Sequence, residues 1–144
     1  MNRVTGAVPG YSKRSLTQKL GIPSGTPVVV RGEPRPYLSL VGNLPPGTAV
    51  TSRLSTHSPF IHQFASRQSE LRAEFPRLAR ALADQGMLWV SWPKKASGVE
   101  TDLNENIVRE LGLAQGLVDV KVCAVDEVWS GLKFVRRVAN RKPQ

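Results

Sequence analysis

Cysteine is nearly missing from this sequence: Cys123 is the only one in 144 residues. An internal disulfide is excluded, and so is a zinc site built on several thiolates. Histidine is almost as scarce. His57 and His62 are the only two, and their spacing matches no metal-binding pattern. No run approaches the roughly 18 apolar residues of a membrane-spanning helix. The opening "MNRVTGAVPG" has no apolar stretch of signal-peptide length. Walker A, GxGxxG and GxSxG motifs are absent, as are internal repeats and low-complexity segments. Acids are rare at the start: residues 1–60 hold Glu33 alone against seven basic side chains, residues 61–144 ten against thirteen. These absences lead us to expect a cytoplasmic protein with no metal and no membrane partner.

What is present suits one soluble globular domain, with 40% hydrophobic and 22% charged residues. The net charge is +9 and the isoelectric point about 10.5. Such a balance favours polyanions: nucleic acid or phosphorylated small molecules. The basic residues are scattered and not interleaved with aromatics, which equally describes a solvated surface.

The order of elements follows from periodicity. Residues 1–14 read as a flexible arm, 15–138 as the domain and 139–144 as a disordered basic tail. "SLTQKLGI" predicts a short helix, capped by Ser15 and ended by Gly21. Val28-Val29-Val30 predicts a strand buried on both faces. "PRPYLSLVGN" predicts a short helix, and "TAVTSRL" and "SPFIHQFAS" two strands. Between Ser66 and Ala83, Leu71, Phe75, Leu78 and Leu82 fall on one face of a helix, with Pro76 inside it as a kink or a new first turn. Gly86 closes that unit and "MLWVSW" is the next strand. Thr101 is the expected cap of a helix over 102–111, with Leu103, Ile107 and Leu111 as its buried stripe and Gly112 as its end. "LVDVKVCAVDEVWSGLKFVRRV" predicts an antiparallel hairpin turning near Ser130-Gly131. Asp126 and Glu127 are adjacent acids at that turn, and Cys123 reads as a small buried hydrophobe.

This pattern predicts an α/β fold in three layers, with a mostly parallel sheet of order 2-1-3-4-6-5 that ends in an antiparallel hairpin. It resembles the Rossmann-like fold of class I S-adenosylmethionine-dependent methyltransferases: "DQGMLWVSW" is similar to their penultimate parallel strand and the 118–137 segment to their final hairpin. The resemblance implies S-adenosylmethionine as cofactor. The sequence departs from that family at two places. One glycine, Gly32, follows the first strand where the family has a glycine-rich turn. Arg53 stands near the end of the second strand where the family has a ribose-binding acid. "GYS" at 10–12, "KLGI" at 19–22, "MLWVSWPKKASG" at 87–98 and "GLVDVKVCAVDEVWSGLKFVRR" at 116–137 resemble a family of small bacterial proteins classed as a domain of unknown function. That resemblance implies a methyltransferase-like fold and supplies no catalytic residues.

Open parallel sheets bind ligands outside the carboxyl ends of their strands. That edge is expected to gather Arg31, Gly32, Arg53, Trp92, Lys94, Lys95, Ser97 and Gly98 into an anion-binding site. The cations would form a rim, and the amides at the start of the 102–111 helix would add donors. Trp89 and Trp92 point to opposite faces, with Trp89 as core and Trp92 as the ligand-stacking candidate. His62, between Phe60 and Phe64, is expected to be a hydrogen-bonded core histidine, and His57 lacks an orienting acid. The leading expectation is therefore a non-catalytic or weakly catalytic binding module for an anionic small molecule on a degenerate methyltransferase-like scaffold. One alternative is an S-adenosylmethionine-dependent or other group transferase with an atypical cofactor loop. Another is a basic protein associated with nucleic acid.

Overall fold

A computed structural model describes residues 14–138. Apart from Arg14, the expected arm and tail lie outside the described residues. The elements run α1 (Leu16–Leu20), β1 (Pro27–Arg31), α2 (Tyr37–Val41), β2 (Ala49–Thr51), β3 (Ser58–Phe64) and α3 (Gln68–Ala81). They continue as β4 (Leu82–Pro93), α4 (Glu105–Ala114), β5 (Leu117–Ala124) and β6 (Trp129–Arg136). A 3-10 turn, Lys95–Ser97, follows β4.

The sheet order is β2-β1-β3-β4-β6-β5, as the element pattern predicts. β2, β1, β3 and β4 are parallel to one another, and β6 pairs antiparallel with both β4 and β5. Alternation along each central strand feeds two cores. Val29, Ile61, Leu88, Val90 and Trp92 join Leu71, Phe75 and Leu78 of α3, with Val108 of α4. Val28, Val30, Phe60, Phe64 and Trp89 join Leu20, Tyr37 and Leu40 on the other face. Each large side chain buried this way contributes about 1.5–3 kcal/mol. The two tryptophans thus do face opposite ways. The Trp89 indole also donates to the Leu20 carbonyl (2.8 Å), tying the end of α1 to β4.

α1 carries the full capping box: Gln18 N donates to Ser15 Oγ and Ser15 N to Gln18 Oε1. Gly21 ends it in the left-handed region.

Four local expectations need correction. β4 begins at Leu82, directly on the end of α3, not after Gly86. Gly86 lies inside the strand, where a Cβ would come within 2.8 Å of the Ser58 carbonyl oxygen. α4 is capped by Asn104, whose side chain accepts from Ile107 N, and not by Thr101. Gly112 does not end α4 but lies within it, against the Phe134 ring. Val108 is the fully buried residue there, with Ile107 and Leu111 partly buried beside it.

The fourth correction concerns the hairpin, which turns at 125–128 rather than at Ser130-Gly131. Asp126 Oδ1 accepts from both Val128 N and Trp129 N (2.8 and 2.7 Å), which folds the chain there. Gly131 lies inside β6, paired with Ser91 and Cys123, where a Cβ would be tight against the Trp89 ring and Ser91 Oγ (3.1 and 3.2 Å). β5 carries a register shift between Asp119 and Lys121, and Val120 and Val122 are exposed. Cys123 is only partly buried. Among the described residues no helix is long and apolar enough to cross a membrane, and no group of three His, Cys, Asp or Glu is placed to hold a metal.

Candidate functional site

The carboxyl ends of β1 and β3 meet the first turns of α3 and the start of β6. Gly32 makes this edge possible. Its φ is +72°, and a Cβ there would fall 2.5 Å from the Phe64 carbonyl oxygen. The chain leaving β1 therefore presses on the end of β3 with bare backbone. Beside it opens a cleft of about 620 Å³, within the range of small-molecule sites.

Gln63 and Phe64 line its base. Gln63 is buried, and its Nε2 donates to Phe64 O (2.9 Å) and weakly to Arg31 O (3.4 Å). Those two acceptors fix the amide orientation and leave Oε1 buried with no donor among the described residues. An unpaired buried acceptor costs about 1–3 kcal/mol, which a ligand donor would recover. Phe64 is held by two rings: it stacks on His62 (4.3 Å between centroids, 16° interplanar) and packs edge-to-face with Trp129 (5.3 Å, 80°).

Arg31 reaches across one side. Its Nη2 pairs with Glu74 Oε1 (2.9 Å) and its Nη1 donates to Ser52 O (2.8 Å). Glu70 also lines the cleft, exposed, and makes no ion pair among the described residues. Among the described residues the cleft thus has one cation, paired through both Nη atoms but with its Nε buried and unpartnered, two carboxylates and one orphaned acceptor. It suits a ligand that brings N–H or O–H donors and positive charge better than it suits an anion.

Behind Phe64 lies a buried polar chain. Tyr37 Oη is 2.7 Å from His62 Nδ1, and His62 Nε2 is 2.8 Å from Ser91 Oγ. Burial pushes the His62 pKa down to about 3, so the imidazole is neutral. Burial, aided by Glu33, pushes the Tyr37 phenol up. His62 is the hydrogen-bonded core histidine that its neighbours predict. His57 is exposed, in a left-handed conformation (φ 63°).

Of the eight residues expected to form an anion site, Arg31 and Gly32 line this cleft. Trp92 is buried at 5% exposure in the core beneath α3 and α4, so it cannot stack on a ligand. Arg53 is exposed, and its N donates to Thr51 Oγ1. Lys94 is held by the hairpin turn: Nζ donates to Asp126 O (2.8 Å) and its backbone N to Val128 O (2.7 Å). Ser97 closes the 3-10 turn by donating to Lys94 O, and Gly98 ends it at φ 78°. Lys95 and Gly98 border a separate hollow of about 440 Å³, together with Glu100 and Asp102. The expected cationic rim is therefore dispersed: Lys94 is drawn to the hairpin turn while its neighbour Lys95 borders the other hollow. Gln63, Glu70 and Glu74 escaped the sequence reading, whereas Trp129, equally a packing or a functional residue by its sequence position, lines the cleft. A lone glutamine in the apolar run "FIHQF" was the one available signal.

The fold can be set beside solved structures. An S-adenosylmethionine-dependent methyltransferase from Aquifex aeolicus superposes with a TM-score of 0.55 at 16% identity, over 81% of this chain and 85% of that one. The fold is methyltransferase-like. A TehB-like S-adenosylmethionine-dependent methyltransferase from Corynebacterium glutamicum gives 0.54 at 13% identity, over 89% and 90%. Against the magnesium protoporphyrin IX methyltransferase of Synechocystis PCC 6803 the chain spans 51% of that protein's length and 62% of its own, at 13% identity and a TM-score of 0.49. No family model and no curated protein matches the chain. At these identities the likeness is one of fold.

Proposed function

We propose that the chain binds S-adenosylmethionine in the cleft at the ends of β1 and β3, as a group transferase with an atypical cofactor loop. The observation that carries this reading is the orphaned Gln63 Oε1, buried at the strand ends where this fold takes ligands. The residues fit the amino-acid half of that cofactor. Gln63 Oε1 and the Glu70 carboxylate offer acceptors for an ammonium, and the Trp129 face suits a cationic sulfonium. Gly32 sets bare backbone against the end of β3 at the border of the cleft, a single glycine in place of the family's glycine-rich turn. When bound, the cofactor supplies an activated methyl group.

The chain's own part is to orient and to exclude water. Arg31, fixed by Glu74 and Ser52, walls one side, and Phe64 and Trp129 form an apolar shelf. The end of β2 departs from this fit: Ser52 and Arg53 stand where a ribose-binding acid would be. That departure favours a second reading, a binding module without catalysis on the same scaffold. The MLWVSWPKKASG stretch places the chain, in this proposal, with the small bacterial family that it resembles.

Calorimetric titration with S-adenosylmethionine and S-adenosylhomocysteine tests the reading. We expect saturable binding, weakened about tenfold in Gln63→Leu. Absence of binding by either compound rejects it. Binding without slow formation of S-adenosylhomocysteine in the presence of candidate acceptors selects the binding module.

A further inference from the structure

The opposite edge of the sheet, at the amino ends of the parallel strands, holds a second and different concavity. It is an open groove of about 700 Å³, bordered by the loop before β3, the last turns of α3 and the end of β6. Three arginines from two elements line it: Arg77 and Arg80 of α3, and Arg136 of β6. Ser55 and Thr56 line it from the loop, whose next residue, His57, adopts the left-handed conformation. No carboxylate is among its described lining residues.

The last carbonyls of a helix repel anions, and α3 ends here. Arg136 removes that obstacle. Its Nη2 donates to Ala79 O and Leu82 O (2.7 and 2.6 Å), and its Nε lies 3.5 Å from Asp84. It is a fixed cation that covers the helix end. Arg77 uses Nη1 on both oxygens of Glu74. Arg80 is exposed and makes no ion pair among the described residues. A guanidinium fork, a second guanidinium one turn away and two hydroxyls make a donor set matched to the tetrahedral oxygens of a phosphate group.

We propose that this groove binds a phosphate-bearing ligand, with Arg77 and Arg80 as its principal contacts and Ser55 and Thr56 as further donors. The site is distinct from the cleft at the carboxyl edge, with Glu74 between them, paired to Arg31 of the cleft and to Arg77 of the groove. The anion chemistry that the charge balance predicts is thereby assigned to the other end of the sheet.

The test uses the full chain, with pyrophosphate followed by calorimetry and a fluorescently labelled single-stranded oligonucleotide followed by anisotropy. Arg80→Ala is expected to weaken binding about fivefold to tenfold. Arg72→Ala, on the same helix but outside the groove, is expected to leave it unchanged. Circular dichroism of both variants checks that they remain folded. Saturable pyrophosphate binding alone identifies a free phosphorylated ligand. Oligonucleotide binding that pyrophosphate displaces, and that Arg80→Ala weakens, identifies a nucleic-acid backbone as the source of the phosphate. Failure of both probes to bind saturably, or an equal loss in Arg72→Ala, overturns the proposal in favour of diffuse surface charge.

Discussion

Gly112 of α4 leaves the space that the Phe134 ring of β6 occupies. A Cβ at residue 112 would overlap three atoms of that ring. Elsewhere in a helix, alanine in place of glycine stabilises by about 0.5–1 kcal/mol. Here overpacking, at about 1–3 kcal/mol, outweighs that gain. Gly112→Ala should therefore lower stability by roughly 1–2 kcal/mol in urea denaturation. Adding Phe134→Leu should recover part of the loss, because the two sites share one space.

His62 predicts how stability depends on pH. Its folded pKa is near 3, below the usual value of 6.5. Between those values the unfolded chain takes up a proton that the folded chain refuses. The contribution is complete above about pH 6.5 and falls as the pH drops, by at most about 1.4 kcal/mol per pH unit. His62→Gln should flatten this dependence between about pH 6 and 4 in denaturant titrations, even though it lowers stability at neutral pH.

Asp102 caps a helix to which it does not belong. Its Oδ1 accepts from Gln68 N, the first residue of α3 (2.7 Å), while its carbonyl oxygen accepts from Gln68 Nε2 (2.9 Å). Arg67, the residue before α3, makes no side-chain cap. Asp102→Ala should cost about 0.5–2 kcal/mol. Hydrogen exchange should speed up at 68–71 and not in α4, whose own cap is Asn104. The same turn brings Glu70 and Leu71 to the cleft, so ligand binding there should weaken as well.

The sheet was legible because its signals are long. Val28-Val29-Val30, "FIHQF" and "MLWVSW" each read as strands, and the 3.6-residue spacing of Leu71, Phe75 and Leu78 gave α3. Chirality of the crossovers then left few possible orders. What failed was decided by contacts distant in sequence. Thr101 has the chemistry of a helix cap, but its Oγ1 donates to Ser66 O (2.6 Å), 35 residues away. Ser130-Gly131 looks like a turn, but both residues pair with β4 and β5 inside a strand, where the Trp89 ring crowds the glycine. The site suffered in the same way. Lys94 and Lys95 are neighbours in sequence, yet one ends on the hairpin turn and the other in solvent. Gln63 becomes notable only once its oxygen is seen to lack a donor.

The Tyr37–His62–Ser91 chain has one more consequence. A neutral imidazole carries one ring proton, so the chain has a direction. Either Tyr37 donates to Nδ1 and Nε2 donates to Ser91, or both bonds run the other way. His62 also sits opposite Val30 of β1 and Trp89 of β4 in the strand register. A slip of one residue in β3 would turn it to the other face of the sheet and break both bonds. The tautomer of one histidine, read from its ring nitrogens by NMR, thus reports the alignment of the three central strands.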